Sequence, residues 1–482
     1  MPELARLDDA AADLTAAFGR SLAAVARPGE TWLLDGPLGA GKTHFARAFI
    51  RARLGNPDEE VPSPSFTLVQ TYDDPRGGAV WHVDLYRLGE GGGEAVELGL
   101  EDAAPGDIRL IEWPDRLAAP PAGARRLRFE AGALPERRRL TVCGPPDGGE
   151  AARAAGRARF LAGAGWGEAL PVPLAGDASA RRYFRLTHGP SGGAVLMDAP
   201  DGSLPDYLRM TGWLRDRGFH APAILAADAG TGLALMEDLG DDLLARVLDA
   251  RPELAGEAYA RLADLLAALH RHPPAPGTLA LDGPELARQV GLFAEWYGPA
   301  AGGAGDRGPA IAAAVAALHA ALCADAPPVT GLRDFHAENI VWFDDAPPGL
   351  LDFQDAVAVH PAYDLVSALQ DVRRDVPEAV ERAALARYLA ATGAEPERFA
   401  AAYALLGAQR LLRILGIFAR LCLRDGKPRY LAFMPQAWAL LQRDLAHPAL
   451  APLAAAVAGF PPPTDALIED LRQRCKTADP TR

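Results

Sequence analysis

The sequence predicts two folds in series: an α/β domain built around a phosphate-binding loop, then an α+β domain with a small β-rich lobe and a large helical lobe. Three observations predict them. The stretch LLDGPLGAGKTHF (33–45) places G-x-x-x-x-G-K-T between a β-like run and a helix-like run. Much later, GLRDFHAENIVWF (331–343) carries D-x-x-x-x-N and is followed by GLLDFQDA (349–356). Between them lies CGPPDGGEAARAAG (143–156), rich in turn formers and without a strong apolar period. The first domain is therefore placed at 1–147, a linker at 148–156 and the second domain at 157–482. Within the second, the small lobe spans about 157–240 and the large lobe about 241–482.

In the first block TWLLD (31–35), FTLVQTY (66–72), AVWHVDLY (79–86) and IRLIEW (108–113) read as strands bounded by Gly, Pro and Asp. THFARAFIRARL (43–54) puts Phe45, Phe49 and Ile50 on one helical face. The second block opens with the strand candidates RYFRLTH (182–188), AVLMDA (194–199) and GLALMEDL (232–239). It then turns helical: Tyr259, Leu262, Leu265, Leu266 and Leu269 recur at helical spacing, and from about 377 the chain is Ala- and Leu-rich. Ile340–Phe343 and Gly349–Leu351 read as a hairpin that returns Asp352 beside Asn339. No internal repeat is visible.

At 482 residues, with 49% apolar and 23% charged residues, the chain has material for two to four globular domains. No apolar run reaches about 18 residues, so no membrane span is expected. The opening MPELARLDDAAADL carries acids before any apolar stretch, unlike a secretory leader. Cys143, Cys323, Cys422 and Cys475 show neither ligand spacing nor a disulfide framework, which suits a reducing cytoplasm. A net charge of −14 argues against broad binding of a phosphate backbone, though not against a role beside nucleic acid held by a partner.

Glycines at 36, 39 and 41 let the backbone bend so that successive N–H groups, with that of Ala40 among them, face phosphate oxygens. A helix starting near Lys42 adds its positive end. Lys42 suits the β/γ-phosphates and the Thr43 hydroxyl suits Mg²⁺. The bland alternative is a Gly-rich turn followed by a chance Lys-Thr.

Downstream, VPSPSFTLVQTYD (61–73), WHVDLYRL (81–88) and IEWPDRL (111–117) join GPLGAGKT in order. Together they resemble the TsaE family, ATPases of bacterial tRNA threonylcarbamoyladenosine synthesis, over nearly all of residues 1–142. TAAFG (15–19) matches that family's Thr four residues before a Gly. The resemblance implies that Thr43 and Glu112 bind Mg²⁺, that Asp84 is a second acidic group, and that Thr15 and Trp113 lie near the nucleotide. Glu112 orienting the attacking water is the alternative. Ser65 and Thr67 fall where the family has a nucleotide-responsive segment. Asp84 capping a turn and Trp113 filling core are the structural alternatives. The family works with TsaB- and TsaD-like proteins that handle the tRNA, so hydrolysis would act as a switch on partners. A free-standing small-molecule kinase is the rival, but no acceptor site is visible in this block.

In the second block Asp334 and Asn339 have the spacing of a kinase catalytic loop, with the Asp taking the proton of the attacking hydroxyl and the Asn holding Mg²⁺. Asp352 occupies the place of the acid in the D-F-G element, with Gln354 where the glycine would stand. This looks like the aminoglycoside-phosphotransferase superfamily, whose fold is that of protein kinases. More narrowly, GDASARRYFRL (176–186), VLMDAP (195–200), MEDLGDDLL (236–244), RDFHAEN (333–339) and LLDFQDA…HPAYDLVSALQD resemble the AmgK-type sugar kinases. That resemblance implies phosphorylation of the anomeric hydroxyl of N-acetylmuramate and N-acetylglucosamine in cell-wall recycling.

One departure stands out: Met197 takes the neighbourhood of the third-strand Lys that grips the α/β-phosphates. Arg181, Arg182 and Arg185 are the candidate substitutes, against the reading that they form a solvated hairpin face. Glu237 is placed at the adenine edge of a hinge; Asp238 shares that position or caps the DDLLARVL helix, with capping slightly favoured. His336 is taken to line the catalytic loop, and Tyr363 and Asp364 to brace it.

Three function classes result: a bifunctional MgATP-using ATPase and kinase, an ATPase with a non-catalytic kinase-like scaffold, and a kinase with a regulatory nucleotide-binding block. Aminoglycoside, choline and homoserine are the rival acceptors. Aminoglycosides need an acidic surface, whereas acetamido sugars need neutral donors and acceptors, plus a cation for a muramate carboxylate.

Overall fold

A computed structural model describes residues 1–89, 98–100, 103–174, 180–190, 192–303, 307–324 and 326–475. The beginning of the GDASARRYFRL motif, 176–179, lies outside the described residues. The chain divides into two compact units, Met1–Pro205 with Ala223–Asp238, and Asp206–Pro222 with Leu239–Arg482.

The first unit contains a seven-stranded sheet ordered β1-β7-β6-β2-β5-β4-β3. Its centre is β2 (Thr31–Asp35), parallel to β5 (Ile108–Glu112) and β6 (Arg125–Ala131), with β4 (Ala79–Asp84) parallel to β5. The edges are antiparallel: β3 (Val69–Asp73) on β4, and β7 (Arg138–Cys143) between β6 and β1 (Glu3–Ala10). Both faces are covered, so successive residues of the central strands are buried against opposite faces. Trp32 and Leu34 join a cluster with Phe18, Phe45 and Phe49, while Leu33 joins Val83, Ile111 and Ala124 on the other face. The four expected strands are present; β1, β6 and β7 add three more.

Helix α1 (Ala12–Val25) packs against α2 (Lys42–Leu54). Gly19 permits the approach: a Cβ there would meet the Phe45 carbonyl oxygen at 2.9 Å and the Phe49 nitrogen at 3.3 Å. Phe45, Phe49 and Ile50 are fully buried on the helical face the sequence assigns them.

The segment expected as a linker differs from that expectation. Glu150–Gly163 is a helix, α3, whose buried face is made of Ala151, Ala154, Ala155, Ala158 and Leu161 with Arg157 among them. Alanine supplies helix propensity but little apolar contrast, which is why no period was legible. Helix α3 packs on α1, and the two cover a second, five-stranded sheet ordered β11-β12-β10-β9-β8. Its strands are β8 (Leu170–Pro173), β9 (Arg182–Gly189), β10 (Gly192–Asp198), β11 (Ile224–Asp228) and β12 (Leu233–Met236). Ala24 of α1 and Leu161 of α3 share one cluster with Phe184, Leu186, Leu196 and Leu235.

The second unit is mostly helical. Helix Ala255–Leu269 buries Tyr259, Leu262, Leu266 and Leu269 and packs against helix Glu378–Thr392. At its end His270 Nδ1 lies 2.7 Å from the Tyr388 hydroxyl. Helix Pro396–Leu423 is long and apolar enough, by length and composition, to cross a membrane, a test that a mostly buried core helix also passes. It forms the interior of this unit, and most of its apolar window is buried with Gln409 and Arg410.

Candidate functional sites

The phosphate loop is built as its sequence demands. Gly39 and Gly41 adopt left-handed backbone, with φ of 73° and 103°, where a side chain would be strained. Gly36 lies so close to β6 that a Cβ would sit 2.7 Å from the Phe129 carbonyl oxygen. Gly41 is the N-cap of α2, so the positive end of the helix faces a cavity of about 400 Å³. Gly39, Ala40, Gly41, Lys42, Thr43, Ser63, Ser65, Asp84, Tyr86, Arg87, Glu112 and Trp113 line it, among others.

Register brings the acids to it: Asp84 and Glu112 are paired ends of β4 and β5. Glu112 divides its carboxylate, accepting from the Thr43 hydroxyl at 3.1 Å and lying 3.0 Å from Nε2 of fully buried His82. Asp84 accepts from Ser63 Oγ and the Tyr86 amide, each at 3.0 Å. Lys42 Nζ donates to the carbonyls of Gly36 and Pro37, at 2.6 and 2.9 Å, and stands 3.8 Å over the Trp113 ring. Burial lowers its pKa, and the carboxylates of Glu112, Asp84 and Asp35 pull it partly back. Trp113 itself adopts left-handed backbone (φ 61°), and its ring lies against Lys42 and Tyr86.

Two sequence expectations sit differently. Thr15 is buried in α1 with its hydroxyl donating to the Ala11 carbonyl, and it does not line the cavity. Thr67 is exposed and also outside the lining, whereas Ser65 is within it. Sequence reasoning missed His82, Ser63 and Arg138. The Arg138 guanidinium, from β7, donates to the carbonyls of Ala40 and Gly39 at 3.2 and 3.3 Å and so holds the loop from behind.

In the five-stranded sheet Met197 is fully buried on central strand β10. Its neighbour Asp198 carries the polar chemistry: it accepts from Arg157 at 2.6 Å and from Arg153, both on α3, and Arg157 lies 4.9 Å from the Phe184 ring centroid. The proposed lysine substitutes are engaged with acids. Arg182 pairs with Glu150 at 2.5 Å and Arg185 with Asp238 at 2.6 Å, while Arg181 acts on nearby Asp201. Any role for Arg182 and Arg185 toward phosphate requires those pairs to open. Asp238 is thus an ion-pair partner; the helix Leu244–Ala250 has Leu243 as N-cap, with no side-chain cap bond, which corrects the capping preference. Glu237 accepts from the Ala223 amide at 3.0 Å, tying its own strand end.

The second unit assembles the other site. Ile340 and Val341 pair with Leu350 and Gly349, and the Leu351 amide donates to the Asn339 carbonyl at 2.9 Å, so the hairpin sets Asp352 alongside Asn339. Asn339 Nδ2 donates to the Asp334 carbonyl at 2.9 Å. Asp352 and Arg333 both adopt left-handed backbone, at φ 55° and 73°, around this loop. Asp364 braces it as expected, accepting from the amides of Leu332 and Arg333 at 2.5 and 3.0 Å. Burial raises the Asp364 pKa to about 7. Gln354 Nε2 bridges Asp352 and Asp355, at 3.0 Å each, and Phe353 stacks on Tyr207 at 5.1 Å.

Burial pushes the Asp334 carboxyl upward, but positive charges, Arg410 and Arg413 foremost, more than offset it, and its pKa falls below the usual aspartate range. Asp334 is therefore a carboxylate at neutral pH, ready to accept a proton. His336 is pushed down to about 4, by burial and then by Arg373, so it is neutral and uncharged beside that base. Among the described residues no group of three His, Cys, Asp or Glu converges.

Comparison with known proteins agrees with both halves. Residues 171–402 match the phosphotransferase enzyme family and residues 10–139 match the threonylcarbamoyl adenosine biosynthesis protein TsaE. The chain is 40% identical to an N-acetylmuramate/N-acetylglucosamine kinase of Caulobacter vibrioides, across 63% of this chain and 95% of that one. A kinase of the same name from Pseudomonas aeruginosa is 36% identical, across 62% of this chain and 91% of that one. The tRNA threonylcarbamoyladenosine biosynthesis protein TsaE of Rickettsia prowazekii is 38% identical, across 22% of this chain and 72% of that one. With the phosphate loop in the first unit and the acid–amide hairpin in the second, the chain belongs to the TsaE family through its N-terminal part and to the phosphotransferase enzyme family through the rest.

Proposed function

We propose that residues 1–147 hydrolyse ATP in support of tRNA threonylcarbamoyladenosine formation, with TsaB- and TsaD-like proteins as partners that handle the tRNA. Residues 157–482 transfer the γ-phosphoryl group of ATP to the anomeric hydroxyl of N-acetylmuramate or N-acetylglucosamine in cell-wall recycling. Both activities belong to the cytoplasm.

In the first site the loop amides and Lys42 bind the phosphates. Thr43 and Glu112 would hold Mg²⁺, with Asp84 as the second acid and Trp113 packed beside Lys42. In the second, Asp334 takes the proton of the sugar hydroxyl, and Asn339 and Asp352, brought together by the hairpin, would hold Mg²⁺. Bound there, Mg²⁺ neutralises phosphate charge; the protein contributes position and a fixed field.

The observation that carries the kinase reading is the Leu351–Asn339 hydrogen bond, which aligns the carboxylate and amide beside an ionised Asp334. The test is a product screen of the full chain with MgATP and N-acetylmuramate, N-acetylglucosamine, choline or kanamycin, read by ³¹P NMR. A sugar 1-phosphate is expected. Phosphocholine or phosphokanamycin as the main product refutes the proposed acceptor.

A further inference from the structure

The second site has, around its base, a charge pattern that neither the motifs nor the family match explains. Three guanidiniums, those of Arg410, Arg413 and Arg333, lend their positive charge to the base Asp334. A site for a polycationic acceptor needs the opposite sign there. The three are not equivalent. Arg410 is buried and donates to Ser367 Oγ at 3.0 Å, and Ser367 is within hydrogen-bonding distance of the Arg333 carbonyl. Arg333 lies in the field of Glu285, whose acidity it increases.

Arg413 differs from both. It is one helical turn beyond Arg410 on Pro396–Leu423, on the same face, and is half-buried where Arg410 is buried. Among the described residues its hydrogen-bond partner is the Tyr363 hydroxyl at 3.4 Å, and no carboxylate pairs with it. Tyr363 is fully buried and adjoins Asp364, which holds the catalytic-loop amides. The half-buried guanidinium is thus anchored to the frame that fixes Asp334 and keeps most of its donors unspent.

We infer that Arg413 recognises a carboxylate on the acceptor sugar and is the specificity-determining residue for N-acetylmuramate over N-acetylglucosamine. This rests on the sugar-kinase reading above. The two sugars differ by a lactyl ether bearing one carboxylate, and a planar guanidinium pairs with that group in a forked geometry. Arg413 binds substrate here and takes no proton.

The experiment compares kcat/KM for the two sugars in the full-length wild type, Arg413→Gln and Arg413→Lys. In Arg413→Gln the ratio of N-acetylmuramate to N-acetylglucosamine is expected to fall about tenfold or more, the usual worth of a charge-assisted pair, carried by KM for N-acetylmuramate. Arg413→Lys recovers part of it. The ratio is internal to each sample, so incomplete folding does not imitate the effect. A second arm needs no variant: the wild type is given N-acetylmuramate with its carboxylate converted to the amide, and KM is expected to rise by a similar factor. A ratio unchanged within about twofold, or an amide used as well as the acid, overturns the inference. So does an equal fall in kcat for both sugars with a shifted pH profile, because Arg413 then acts through Asp334. Wild type inactive on both sugars removes the underlying reading, and the inference with it, before any variant is compared.

Discussion

Glu112 serves Thr43 with one oxygen and His82 with the other, while Asp334 stays charged in a partly buried position. Such residues carry the sharpest tests. Lys42→Ala is expected to abolish hydrolysis at the first site and spare sugar phosphorylation, and Asp334→Asn to do the reverse, each by at least about a hundredfold in coupled ATPase and product assays. Loss of phosphosugar in Lys42→Ala refutes independence of the two sites. Arg138→Ala frees two loop carbonyls from their guanidinium. It should raise KM for ATP about fivefold to tenfold, about the value of one or two hydrogen bonds, with calorimetric ATP binding as the check. Legibility at this scale followed contiguity. Lys42, Thr43, Asp334, Asn339 and Asp352 stand in motifs whose spacing states their roles. Arg138, Arg410 and Arg413 reach their sites from elements distant in sequence, and no spacing announces them.

The elements show which patterns physics makes visible. Central strands β2, β4 and β5 were legible because they are covered on both faces and read as apolar runs. β6 and β7 were not: RRLRFEA and RRLTVC mix arginines with few apolar residues, as half-exposed strands do. At the α1–α2 contact, Gly19→Ala inserts a methyl against the backbone of α2. Overpacking of about 1–3 kcal/mol should outweigh the roughly 1 kcal/mol gained in helix propensity, lowering the urea midpoint of the first unit. In the second unit His270 is pushed down to about 3 by burial. Its unfolded value is near 6.5, so between pH 6.5 and 3 the unfolded chain binds a proton that the native chain does not, and stability falls as pH falls. Relative to His270→Gln, the wild type should lose up to roughly 1.4 kcal/mol more per pH unit in that window, read from urea unfolding at several pH values. Equal slopes for the two proteins sink this account.

For the whole molecule the deciding element is α3. Arg157, 1% exposed, and Asp198, 2% exposed, pair between that helix and β10. Asp198→Ala leaves the guanidinium buried without its counter-charge and should cost about 3–5 kcal/mol in unfolding free energy. Hydrogen exchange should show the loss in β9, β10 and α3 together. A second-domain fragment beginning at residue 157 discards Arg153, whereas one beginning at 148 keeps both arginines; the longer should be the more stable in thermal unfolding. What the sequence treats as a tether is a shared wall: Ala24 precedes it, Leu161 belongs to it, and Phe184 and Leu196 lie beneath it. Two genes can be joined in one event, but a lineage that tried to separate this pair again would uncover the apolar residues that α1 and α3 share. Fusion here works as a ratchet: selection could later silence either active site, yet the silenced half would persist as packing for the other.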